Sequence, residues 1–83
     1  MLHRFNRLMS NLARGAVARD GFEPWEVEIL LDIKRCKLEP RRWTKVMRQY
    51  QRAVERQLEA GPGPPMKLSH FLIMRTRRGG ESD

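Results

Sequence analysis

Residues 40–61 read PRRWTKVMRQYQRAVERQLEAG. Trp43, Val46, Met47, Tyr50, Val54 and Leu58 recur at three- and four-residue spacing, so they fall on one side of a 3.6-residue repeat. Arg41, Lys45, Arg48 and Arg52 recur at i, i+4, i+7 and i+11 on another side, with Arg42, Gln49 and Arg56 one strip over. Proline suits the first helical position and glycine the position just past the last. The stretch therefore reads as one long helix with a core face and a basic face. A solvated helix face usually mixes charge signs. This one is positive until Glu55 and Glu59, close to its end.

The same device recurs upstream. Glu23-Pro24-Trp25-Glu26 places proline at a helix start and acids in the first turn, where they meet the positive end of the helix dipole. Lys34, Arg35 and Lys37 close the segment with the opposite charge, so a helix is expected from Pro24 to about Cys36. Its apolar residues (Trp25, Val27, Ile29, Leu30, Leu31, Ile33, Cys36) cover more than a narrow stripe, which places it centrally with neighbours on two sides. A strand over VEILLDI is the alternative, and the capping pattern favours the helix.

Before it, Leu2, Phe5, Leu8, Met9, Leu12 and Ala16 fall at helical spacing, and a first helix is expected from Leu2 to Arg19, weakened by Gly15 and stopped at Asp20-Gly21. Residues 1–19 hold four arginines and no acid. That composition also suits an organellar transit peptide or an interfacial membrane helix; the plain basic first helix is the reading adopted. Past Gly61, the run Gly61-Pro62-Gly63-Pro64-Pro65 cannot continue a helix, because consecutive prolines lack amide donors. Residues 66–76 then read as a short fourth helix capped by Ser69, with a strand over 70–75 as the alternative. The sequence thus specifies an all-α fold, a small bundle of three main helices plus a short C-terminal helix after a Pro/Gly turn. One domain spans residues 1–78 and a disordered polar tail spans 79–83.

Seventeen basic and ten acidic residues among 83 give a net charge of +7. By segment, residues 1–20 carry +3, residues 21–36 carry −2, residues 37–60 carry +4 and residues 61–83 carry +2. Such a surplus favours attraction to polyanions without bearing on the fold. The acids of the second helix are expected to pair with arginines of its neighbours and so to answer part of the charge. A single cysteine, Cys36, rules out an internal disulfide and suits a reducing, intracellular setting. No apolar run approaches the ~18–20 residues of a membrane span.

Chemistry beyond charge is sparse. Cys36 and His70 are the one conceivable nucleophile and base, with no orienting residue and no motif around them. His3, His70 and Cys36 lack the spacing of a metal site. The prolines of GPGPP remove the amide donors that a phosphate loop needs. No catalytic residue, metal site, cofactor or small-molecule substrate is expected. Trp25 and Trp43 read as core anchors. The second and third helices with the Lys37–Glu39 joint invite a helix-turn-helix reading, although the joint lacks the usual turn glycine and the third helix is long for a recognition helix.

The expected function is that of a small, non-enzymatic binding protein contacting nucleic acid through Arg41, Arg42, Lys45, Arg48 and Arg52, assisted by Arg75, Arg77 and Arg78. The alternative is an assembly or adaptor subunit of a larger complex, for example of a phage or viral particle, acting by protein contacts or as a homo-oligomer. A membrane surface met through residues 1–19 is the third class.

Overall fold

The computed structural model describes residues 1–15 and 21–77, and its elements are four helices: α1 (Leu2–Ala13), α2 (Pro24–Cys36), α3 (Pro40–Ala60) and α4 (Leu68–Arg77). The two helices expected to open on proline do so, at Pro24 and Pro40, each preceded by a glutamate in extended backbone. VEILLDI and residues 70–75 are helical, so both strand alternatives fall.

α1 ends six residues earlier than expected. Gly15 takes a left-handed φ of 71°, and its N–H bonds the Leu12 carbonyl at 3.0 Å. The glycine terminates the helix instead of merely weakening it, because only glycine adopts that conformation without steric cost. Gly61 does cap α3, with its N–H on the Gln57 carbonyl, but in extended backbone. A left-handed residue also ends α2, where Lys37 has φ 50° and ψ 50°.

α1 packs on α3, α3 on α4, and α4 on α2. Phe5 meets Tyr50 edge-on with centroids 5.6 Å apart, and the Gln51 amide donates to the Asn6 side chain at 3.2 Å. Farther along α1, Leu12 and Ala13 line a groove shared with α3 residues between Trp43 and Gln51. As α1 advances its contacts on α3 recede, so the two helices are antiparallel. Tyr50 also faces Phe71 of α4 at 5.9 Å, so α3 contacts both α1 and α4, just as α4 contacts both α2 and α3. α2 packs mainly on α4 and is tied to α1 by the Arg4–Glu26 pair, so it meets two neighbours as its apolar content suggested, although Val27 and Leu31 are left exposed.

Phe5, Leu8 and Met9 of α1, Ile29 and Ile33 of α2, Val46, Met47, Tyr50 and Val54 of α3, and Leu68 of α4 form one core. The molecule measures 39 × 31 × 17 Å. Its thinnest dimension is below two helix diameters of about 10–12 Å, so every helix keeps a face towards solvent.

The turn between α3 and α4 is fastened from α3. The Gln57 amide donates to the Pro64 carbonyl at 2.7 Å and accepts the Met66 N–H at 2.9 Å, while the Tyr50 hydroxyl donates to the Met66 carbonyl at 2.6 Å. Gly63 takes a φ of 147° within it, a conformation that glycine alone tolerates without strain. α4 is then capped across the fold. The Asp32 carboxylate on α2 accepts the Ser69 N–H at 2.9 Å and the Ser69 hydroxyl at 2.7 Å, so Ser69 is the capped residue and not the cap.

Candidate nucleic-acid interface

The basic residues of α3 are placed by the packing of its other side. Tyr50 is fully buried, and Arg41 lies nine residues before it, about two and a half turns away and hence on the opposite side. Lys45, Arg48, Arg52 and Arg56 lie on the same outer side, and all five are exposed. None has an ion-pair or side-chain hydrogen-bond partner among the described residues. From Arg41 to Arg56 the stripe runs about 22 Å along the helix axis. Glu59 closes it, and Arg42 is exposed to one side of it.

Of the remaining expected contacts, Arg75 does not join this stripe. Arg75 on α4 is half-buried, its guanidinium carbon 5.8 Å from the centroid of the Phe71 ring. Arg77 is the last residue of α4. Arg78 and the tail 79–83 lie outside the described residues, as do residues 16–19 of the expected first helix.

The two buried acids of α2 are bonded to residues outside α3. Glu26 pairs with Arg4 of α1, the guanidinium Nη2 lying 2.7 Å from Oε1, and the same oxygen accepts the Glu23 N–H at 2.8 Å. Arg4 also donates to the Gly21 carbonyl at 2.7 Å. Asp32 is committed to Ser69. The expected pairing of an α2 acid with an arginine of a neighbouring helix is met by Glu26 and Arg4 of α1, whereas Asp32 bonds Ser69 of α4 and no arginine.

Beside the basic stripe, between α1 and α3, lies a groove of ≈ 250 Å³. Met9, Ser10, Leu12 and Ala13 line it from α1; Trp43, Thr44, Met47, Arg48 and Gln51 line it from α3. Trp43 packs against the core, as the spacing suggested, and is half-buried, so that it also lines this groove. Thr44, Arg48 and Gln51 stand at i, i+4 and i+7, a strip between the apolar and basic faces. That strip was legible in the sequence but gained meaning only once α1 was seen alongside it.

Cys36 is half-buried, and its thiol is pushed above the usual range by burial and then by the charge of Asp32, so it stays protonated at neutral pH. Among the described residues, no three His, Cys, Asp or Glu side chains gather as a metal ion would need, and no helix is long and apolar enough to cross a membrane. No protein-family model, no curated protein and no solved structure matches the chain.

Proposed function

We propose that this protein is a non-enzymatic binding module that holds nucleic acid through the outer face of α3. One observation supports the reading above the others: five exposed cations stand on one side of a helix without an internal partner among the described residues. Neighbours along the stripe repel. Like charges at i, i+4 destabilise a helix by roughly 0.2–0.5 kcal/mol per pair, and Arg41–Lys45, Arg48–Arg52 and Arg52–Arg56 are three such pairs. A face that opposes its own helix is accounted for by a polyanion that neutralises it. Binding by phosphate neutralisation releases counterions, so affinity falls steeply with salt, with a log–log slope of about −0.9 per phosphate contacted on a duplex.

Arg41, Lys45, Arg48 and Arg52 changed together to glutamate should abolish retention of nucleic acid at about 50 mM salt while leaving the helical circular dichroism intact. Retention that survived this change would sink the reading. The second reading, an assembly subunit or homo-oligomer, draws on the exposure of Val27 (41%) and Leu31 (49%) on α2 and of Ile73 (55%) and Met74 (39%) on α4. A defined oligomer in light scattering, together with no nucleic-acid retention by the natural chain, would put that reading first. A reducing intracellular compartment goes with either one.

A further inference from the structure

We infer that the groove between α1 and α3 is a pocket for an unstacked nucleobase, so that the ligand of this surface is a single strand and not a duplex. The inference rests on the proposed contact of α3 with nucleic acid and specifies its form. Two kinds of group meet in the groove. Trp43, Met47 and Leu12 give it apolar and aromatic walls, while Thr44, Arg48 and Gln51 place hydroxyl, guanidinium and amide groups in the same space. That combination suits a base, which has an apolar π-face and a hydrogen-bonding edge.

Gln51 is oriented in advance. Its Nε2 donates to the Asn6 side chain, so the amide is held and Oε1 is the group it can offer as an acceptor to a ligand in the groove that Gln51 lines. The groove abuts the basic stripe and shares Arg48 with it. A strand whose phosphates follow Arg41, Lys45 and Arg52 can therefore turn a base into the groove without leaving the charge. A paired base cannot enter, because its edge is occupied and its faces are stacked. Charge alone would serve any polyanion, so the groove is what makes the surface selective.

The test is fluorescence anisotropy on the full chain at about 50 mM salt, comparing a labelled oligothymidylate with the same strand in a duplex. Two variants are compared with the natural protein: Trp43→Leu, which removes the π-face, and Ala13→Leu, which fills the groove from the exposed side of α1 and leaves Trp43 in place. The natural chain should bind the single strand more tightly than the duplex. Each variant should lose about ten-fold on the single strand, as expected for one aromatic–base stack, and stay within about two-fold on the duplex. Should Trp43→Leu fail to fold, Ala13→Leu decides. Equal losses on both forms, no loss on either, or displacement of the strand by polyglutamate as readily as by unlabelled strand would each overturn the base pocket while leaving α3 as a polyanion surface. Absence of binding to both forms by the natural chain would remove the proposed function as well.

Discussion

α2 and α3 begin alike and then part. Each opens on a glutamate and a proline, with a tryptophan within its first four residues. α2 then obeys local electrostatics along its length. Glu26 stands in its first turn, Lys34 and Arg35 in its last, and both of its buried acids are bonded inside the molecule. α3 has no acid in its first turn and starts instead with Arg41 and Arg42, cations at the positive end of the dipole. The charges of α2 account for the fold. Those of α3 do not, and they are where a partner has to be sought.

The contrast can be broken first at Asp32. If the acids of α2 are fasteners, Asp32→Ala should cost about 2 kcal/mol, from loss of the α4 cap and an unsatisfied Ser69 hydroxyl. For a chain whose whole stability is expected to be about 4–12 kcal/mol, that lowers Tm by roughly 10 °C. Ser69→Ala, which keeps the bond to the backbone N–H, should cost about half as much. Urea melts of the two variants check this, and a neutral Asp32→Ala would show that α2 and α3 do not differ in kind.

Next in size is the inner face of α3. Tyr50 is the single tyrosine of the chain and is fully buried. Burial first, and then the charges of Asp32 and Cys36, push its phenol well above the usual phenol range. The folded protein therefore keeps the proton to higher pH than the unfolded chain does. Stability on this account is flat below the ordinary phenol pKa of about 10 and falls above it by up to about 1.4 kcal/mol per pH unit. Tyr50→Phe loses the bond to Met66 and should be about 1 kcal/mol less stable at neutral pH. It should also lack that alkaline decline, so the two proteins should converge near pH 11. Denaturation of both proteins at pH 7, 10 and 11 followed by circular dichroism, with tyrosinate absorbance of the natural chain as a second monitor, tests both halves.

What the sequence disclosed follows the same division. Helix bounds at Pro24, Cys36, Pro40 and Ala60 were legible because proline, acids and apolar spacing act within a few residues of one another. The role of Asp32 was not, because its partner lies 37 residues away and a lone acid among apolar residues does not name its acceptor or donor. Gly15 was read as weakening α1 and Asp20-Gly21 as its stop; both Gly15 and Gly21 take left-handed φ, and local sequence does not say which of the two ends the helix. The stripe on α3 was read correctly as to exposure at Arg41, Lys45, Arg48 and Arg52, since a face opposite Tyr50 has nowhere to go but outward. The groove beside it depended on how α1 settles against Trp43, which is a property of packing and not of either helix alone.

The smallest expected effect is the most diagnostic, because its two readouts move in opposite directions. Arg48→Glu puts an acid four residues before Arg52 and three after Lys45, converting repulsion into i, i+4 and i, i+3 attraction with the favoured Glu-first order towards Arg52. On a solvated helix face this should raise stability by about 0.5 kcal/mol, or roughly 2–4 °C in Tm for a domain of this size. The same change should weaken nucleic-acid retention and make its salt dependence shallower by one to two contacts. Stability gained with binding lost means that α3 holds its charge for a partner at its own expense. Stability lost with binding unchanged would mean that Arg48 serves the fold, and the distinction between α2 and α3 would close.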